Sequence, residues 1–595
     1  MTARWSIGLV PLTVLIVAVA VGVRNSNYGD VGQCRSIPGD PSWPSEDDWN
    51  GLNRTVQGKL IANIPLAAPC HHSSLDGTDT YDQEKCDALR DTWFFPETHL
   101  VSPSSPMAYQ FTNNSCNPFL DPDSPCGLGY HAEYTINATS ASDLQAAIRF
   151  VKRHNIRLVI RNTGHDYLGK STGAYALAVW TRHMKSMEHI PKYEFPQSDY
   201  QGPALKMGAG IENIEAYKFA SSHGLMVVGG NCPNVGLAGG YIQGGGISIL
   251  SSKYGLAADQ ALSWEVVTAS GDLITASPAE NTDLFWALRG GGGGTFGIVV
   301  SVTVKAHPDT FFSAAYMNVF NDGNNTDAIY SSLGTFFQSL PSLVDAGAWV
   351  VWVAAPFGFM IIPAMVAGLH AAELDGYLQP TREKMDQLGL QYQYSSADYP
   401  GFIESYNSIP PMWNVSDFTM GGRLMPRELV QDQDSTDALV NAVRTVSSQA
   451  LMSGVSFNVA NAVSSPSDVA ANPYFRKTLF SAVVGAPLNY TDWAATKAAQ
   501  DQITYKLLPE LKAITPNGAG YLSEADFQEP DFKTTFYGAH YEKLLAIKQK
   551  YDPDDIFYAK TAVGSDRWDE RVDGRLCTKP SIWGFDVPDL IRRYV

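Results

Sequence analysis

An α+β fold is predicted by three features of the 595-residue sequence: mixed helix and strand patterns over residues 130–308, a proline-broken uncharged run from Ala348 to Leu369, and glycine-rich segments confined to one region. Order begins near Tyr130. Ser142-Asp-Leu-Gln145 reads as a capping box, with Leu144, Ala147, Ile148 and Val151 at helical spacing. The apolar run Arg157-Leu-Val-Ile-Arg161 reads as a strand. A second helix is expected from Ile211 to Ser222, closed by Gly224 before the strand Leu225-Met-Val-Val228. Trp264 to Ala276 predicts a hairpin turning at Gly271-Asp272. A helix from Asn281 to Arg289 then leads through five glycines to a strand from Gly297 to Val304. Within the uncharged run, Pro356, Gly358 and Pro363 argue for two buried strands rather than a membrane span. These belong to a second, antiparallel sheet flanked by helices such as Ser435 to Leu451, and a last helix is expected from Tyr541 to Tyr551.

Composition narrows the partners. Apolar residues make up 45% of the chain and charged residues 17%, as in a folded globular protein of several domains. A formal charge of −18 leaves no excess of Lys and Arg to neutralise phosphates, which excludes a nucleic-acid partner and disfavours anionic membranes. Arg4, the apolar run Trp5 to Val23 and Ala18-Val-Ala20 read as a cleavable secretory signal. Membrane attachment follows only if that run stays uncleaved. Asn-x-Ser/Thr sites at Asn53, Asn113, Asn137, Asn324, Asn414 and Asn489 suit export. So do Cys34, Cys70, Cys86, Cys116, Cys126 and Cys577, which read as three disulfides in any of fifteen pairings. Cys232 is then left over. Oligomeric state has no signal in the sequence.

The glycine segments carry the chemistry. RNTGHDYLGKSTG (Arg161 to Gly173), GGNCPNVGLAGGYIQGGG (Gly229 to Gly246) and LRGGGGGTFG (Leu288 to Gly297) let backbone amides approach a ligand closely, as a pyrophosphate requires. GHDYLGKS also satisfies the triphosphate-loop pattern of a P-loop NTPase. That reading needs a helix directly afterwards, whereas Thr172 to Trp180 reads as a strand. No Rossmann glycine fingerprint follows a first strand. Zinc-ligand spacing and a Ser/His/Asp signature are also missing, so no metal site is expected.

With SSKYGLAAD (Ser251 to Asp259) and the late KYDPDDIFYAK, these segments resemble the vanillyl-alcohol oxidase superfamily, and within it the fungal berberine-bridge-enzyme-like FAD oxidases. The resemblance covers about residues 130–310 and 520–570. It implies a PCMH-type FAD-binding domain in two parts with an inserted substrate domain. The chain would comprise a signal (1–23), a loop-rich disulfide-stapled extension (24–125), the first FAD-binding part (126–308), the substrate domain (309–515) and a completing segment (516–595). The resemblance further implies FAD bonded through His165 and, as a second link, Cys232. Cofactor contacts are expected from Arg161, Asn162, Thr163, Gly164 and Asp166; from Pro233, Val235, Gly236, Gly240, Gly244 and Gly245; and from Gly297, Ile298 and Val299. The implied reaction passes a hydride from an alcohol-type carbon of a small-molecule substrate to FAD, and then electrons to O2, giving H2O2. Val235 resembles the small residue of oxygen-reactive members. A dehydrogenase, an oxidative-cyclisation enzyme of secondary metabolism and a secreted flavin-binding protein without turnover are the alternatives. Tyr521 and Glu524 are the candidate bases, with serine (Ser523) where the family has asparagine, and Arg423 is a further pocket candidate.

Overall fold

Side chains on a strand alternate between two faces, and in this chain that alternation separates a helix-covered core from a cavity. The computed structural model describes residues 33–579 except 73–76, 196–199, 411–413, 461 and 463–464. The expected signal lies outside the described residues. Among those described, no helix is long and apolar enough to cross a membrane.

The first structural half holds two larger sheets beside the short pair of Leu225–Met226 with His307–Pro308. One is four-stranded, in the order Leu60–Ala62, Tyr134–Asn137, Ala176–Trp180, Arg157–Arg161, and its last three strands run parallel. The other is five-stranded and antiparallel, in the order Met187–Ile190, Ala204–Gly208, Ile298–Lys305, Ala261–Val267, Leu273–Ala276. The expected hairpin is its last pair, turning through Gly271 at φ +90°. The helix expected after Tyr130 spans Ala141–His154, but its capping box is Ser140 with Asp143, not Ser142 with Gln145. Asp143 accepts the Ser140 amide at 3.1 Å and the Lys59 ammonium at 2.6 Å, a charge that Gln145 lacks. The strand expected at 225–228 ends at Met226, and the helix before it spans Asn213–Ser221.

The seven-stranded second sheet is antiparallel throughout, in the order Tyr392–Tyr399, Phe312–Phe320, Gly358–Ala367, Trp349–Ala355, Leu451–Ser456, Thr478–Pro487, Phe418–Pro426. Its centre includes the two strands expected either side of Pro356-Phe-Gly358. Val350, Trp352, Met452, Ala482 and Val484 pack with helices Thr326–Asp345, Ala371–Gln387 and Gln433–Ser447. The last of these stops at Ser447, because Leu451 already begins a strand. Their neighbours Val351, Val353, Ser453, Val455 and Val483 face a cavity on the other side.

The extension before Tyr130 is more ordered than its turn-rich composition suggests. Helices Glu46–Thr55 and Gln83–Thr92 form in it, and Leu60–Ala62 adds an antiparallel strand to the first sheet. The disulfides pair Cys34 with Cys577, Cys70 with Cys86 and Cys116 with Cys126, leaving Cys232 free and buried. Cys34–Cys577 joins the two ends of the described chain.

The C-terminal helix Tyr541–Tyr551 closes the first half through one buried cation. Lys548 Nζ donates to the Thr295 carbonyl at 2.9 Å, to the Phe557 carbonyl at 2.8 Å and to Asp552 Oδ2 at 2.5 Å. Asp552 in turn accepts the Ile556 and Phe557 amides, each at 2.8 Å. Removing one member of such a pair leaves the other charge buried and uncompensated. Lys548→Met is therefore expected to lower the unfolding free energy by about 3–5 kcal/mol in urea titration. A loss below about 1 kcal/mol would show the pair to be dispensable.

Candidate functional site

The loop after strand Arg157–Arg161 owes its shape to Asp166. Its carboxylate accepts the Leu168 amide at 3.0 Å, the Ser171 amide at 3.2 Å and the Lys170 amide. Amides that would cradle a triphosphate are consumed in this way, and strand Ala176–Trp180 follows where a P-loop needs a helix. The turn also passes through Gly164 at φ +84°, where a Cβ would lie 2.9 Å from the Arg161 guanidinium. His165 consequently projects into a cavity of about 790 Å³ between the first half and the seven-stranded sheet.

Cys232 reaches the same end of that cavity from the second glycine segment. Its Sγ lies 3.7 Å from His165 Nε2. Asn234 sits between them: its Oδ1 is 2.5 Å from His165 Nε2 and 3.2 Å from Cys232 Sγ, while its Nδ2 donates to Glu97 Oε1 at 3.1 Å. Burial pulls His165 down to about 4, aided by the nearby Arg161 charge, so the imidazole is neutral at ordinary pH. Burial pushes the Cys232 thiol up to about 12.

Tyr521 and Glu524 line the cavity with Ser523 and Val235. Burial raises Glu524 to about 7. Burial and the Glu524 charge push the Tyr521 phenol well above its ordinary range, and no cation is among the groups that shift it. Of the two candidate bases, only Glu524 can ionise near neutral pH. Arg423 is buried in a structural role, with Nε donating to Thr515 Oγ1 at 2.9 Å and a terminal nitrogen to the Thr515 carbonyl at 2.6 Å.

Several groups in the cavity wall have the character a dinucleotide demands. The Lys170 ammonium, Ser171 hydroxyl and Asn162 and Gln243 side-chain oxygens are buried there without hydrogen-bond partners. Gly240 and Gly294 line the wall, and a Cβ on either would meet nothing within 4 Å. A bound ligand can therefore approach their backbone. These residues fit FAD. Thr163, Gly236, Gly297 and Val299 also line the cavity.

Five of the expected contacts lie elsewhere. Arg161 is turned away and fully buried, one guanidinium nitrogen donating to the carbonyls of His99, Ser102 and Ser105 at 3.0, 3.1 and 2.7 Å. Ile298 is fully buried within its strand, and Pro233 and Gly245 do not reach the cavity wall. Gly244 makes room for Ser523, whose Oγ a Cβ there would meet at 2.4 Å. Sequence reading also missed Asn234, Glu97 and Lys170. The first is a neutral residue beside a cysteine, the second lies in the extension, and the third was absorbed into the rejected triphosphate pattern.

A family model described as an FAD binding domain matches residues 132–277, and one described as berberine and berberine like matches residues 520–564. The chain is 40% identical over 562 residues to the FAD-linked oxidoreductase sor8 of Hypocrea jecorina, covering 94% of this chain and 95% of that one. It is 40% identical over 576 residues to the VAO-type flavoprotein oxidase VAO615 of Thermothelomyces thermophilus, covering 94% and 98%. The crystal structure of the VAO-type flavoprotein MtVAO615 from Myceliophthora thermophila C1 matches with a TM-score of 0.87 at 37% identity, over 92% of this chain and 100% of that one. The chain belongs to the VAO-type, berberine-bridge-like family of FAD-linked oxidoreductases. It is a flavin-dependent enzyme with that family's two-domain fold.

Gly240 offers a direct check on where the cofactor lies. Because a side chain there meets only open cavity, Gly240→Leu is expected to fold with the melting temperature of flavin-free wild type and to purify with less than a tenth of the wild-type flavin absorbance. Full flavin content in that variant would place the cofactor elsewhere.

Proposed function

We propose that this chain is an exported oxidase that holds FAD by two covalent links, at His165 and Cys232, and oxidises an alcohol carbon of an apolar small molecule. The observation that carries the reading is one cavity lined by two nucleophiles 3.7 Å apart and by a carboxyl raised to about 7. Bound FAD supplies the hydride acceptor and the route by which electrons reach oxygen. Glu524 takes the hydroxyl proton as the carbon–hydrogen bond breaks, so that CH–OH and O2 become C=O and H2O2. Tyr521 keeps its proton and orients the substrate oxygen as a donor. Val235 leaves room beside Cys232 for O2, and the relative named a flavoprotein oxidase supports this direction. On the sheet wall Val351, Val353, Met420, Val455 and Val483 offer apolar contact against the single hydroxyl of Ser453, which favours an apolar alcohol over a carbohydrate. Three disulfides, the glycosylation tripeptides and the leader support export.

Acid-denatured wild-type protein is expected to keep its yellow chromophore. His165→Ala and Cys232→Ala each remove one link, and the double variant releases FAD into the supernatant; free flavin from the denatured wild type would refute covalency. The reaction is tested by peroxide release from a panel of apolar alcohols and sugars under air. The base must be ionised, so kcat/KM should rise as pH increases through about 7. Glu524→Gln is expected to lower kcat by roughly 10²–10⁴-fold and to abolish that limb. A variant that keeps both rate and pH profile would remove Glu524 from the mechanism.

A further inference from the structure

We propose that Asn234, oriented by Glu97, is a positioning residue for flavin attachment, holding His165 in the tautomer whose Nδ1 is the free nucleophile. The inference rests on the covalent reading above and deepens it. A carboxylate only accepts hydrogen bonds, so the 3.1 Å contact with Glu97 must be made by the amide nitrogen of Asn234. Its oxygen is thereby committed to His165, at 2.5 Å from Nε2, and to the Cys232 thiol, at 3.2 Å. An oxygen acceptor at that distance requires the proton to be on Nε2. A neutral imidazole carries one ring proton, so Nδ1 holds the lone pair. Among the described residues Nδ1 has no hydrogen-bond partner.

The arrangement parallels the way a carboxylate fixes a catalytic histidine, with an asparagine interposed. As Nδ1 forms its bond the ring becomes cationic, and the contact from Nε2 to the Asn234 oxygen strengthens at that moment. The chemistry balances with dioxygen as the named oxidant. One C–H bond of the flavin 8α methyl is exchanged for a C–N bond to Nδ1. In net balance the methyl proton, then the Nε2 proton from the cationic ring, and two electrons pass to O2, giving hydrogen peroxide. Glu97 comes from the short helix Pro96–Leu100, so the amino-terminal extension supplies part of the attachment machinery.

The test uses full-length holoenzyme in a Cys232→Ala background, where only the His165 link can retain flavin. Flavin bound before denaturation is read by absorbance, and flavin retained afterwards by fluorescence and by the mass of the His165 peptide. The background protein is expected to retain its flavin. Adding Asn234→Ala should slow attachment at least tenfold while native FAD is still bound. Asn234→Asp should also slow it, by setting two carboxylates together. Asn234→Asp with Glu97→Gln should recover attachment, because the introduced glutamine amide donates to a carboxylate that still accepts from Nε2. A merely structural role for Asn234 predicts no such recovery. If Asn234→Ala does not fold, Asn234→Leu, of similar size but with no group to accept from Nε2 or donate to Glu97, is expected to show slowed attachment as well. Attachment at the background rate in Asn234→Ala or Asn234→Leu overturns the inference alone. Release of flavin from the denatured wild type overturns the covalent reading beneath it.

Discussion

Lys548 joins two segments that are far apart in sequence and adjacent in space. Its ammonium binds the Thr295 carbonyl, at the end of the third glycine segment, and the Phe557 carbonyl, beyond the C-terminal helix. Gly293, Gly294 and Gly297 lie on one side of that contact, Phe557, Tyr558 and Ala559 on the other, and all six line the cavity. The cofactor wall is therefore assembled from a central and a C-terminal segment of the chain by one cation. Asp552 makes the arrangement tolerable: it neutralises the lysine and uses its remaining lone pairs on the Ile556 and Phe557 amides. Burial still lowers the lysine's pKa, which marks how little water reaches it. The Cys34–Cys577 bridge ties the same C-terminal region to the start of the described chain.

Exclusion of water acts on the reactive groups in opposite directions, and each direction suits its role. His165 falls to about 4 and stays neutral, as the proposed nucleophile must, while Glu524 rises to about 7, where the proposed base can hold or release a proton near neutrality. Cys232 rises to about 12, so its thiol keeps its proton and donates it to Asn234. Arg161 sharpens the first effect from behind. It is a buried guanidinium paired with three carbonyls rather than a carboxylate, so its charge opposes protonation of His165. A residue expected to touch the cofactor thus acts one layer deeper.

Local patterns in the sequence carried much of this. The hairpin at Gly271, the paired strands around Pro356-Phe-Gly358 and the helix Tyr541–Tyr551 are set by turn residues and periodicity, which neighbouring residues alone determine. His165 and Cys232 stood out because their types are unusual among glycines. What escaped was relational. Asn234 matters only because Glu97, 137 residues away, faces its amide, and no spacing rule connects them. The helices of the extension were hidden by Pro and Gly at their edges, and Leu60–Ala62 becomes a strand only by pairing with Tyr134–Asn137. Gly244 and Gly245 illustrate the opposite error: glycine marks close approach, but at Gly244 the approaching group is Ser523.

The two walls of the cavity are built by different means, and under the proposed function this separates cofactor from substrate recognition. On the cofactor side, loops present backbone through glycines, where most side chains would collide with the ligand or with neighbouring protein. On the substrate side, a regular sheet presents every second residue of three adjacent strands, while the intervening residues pack under helices. Exchanging Val351, Val353, Val455 or Val483 therefore reshapes the pocket without disturbing Val350, Trp352 or Val484 behind it. Specificity can vary on such a face at little cost to folding, whereas the glycine wall cannot vary without losing the cofactor. Within this architecture, relatives can share one flavin chemistry while differing in what they oxidise.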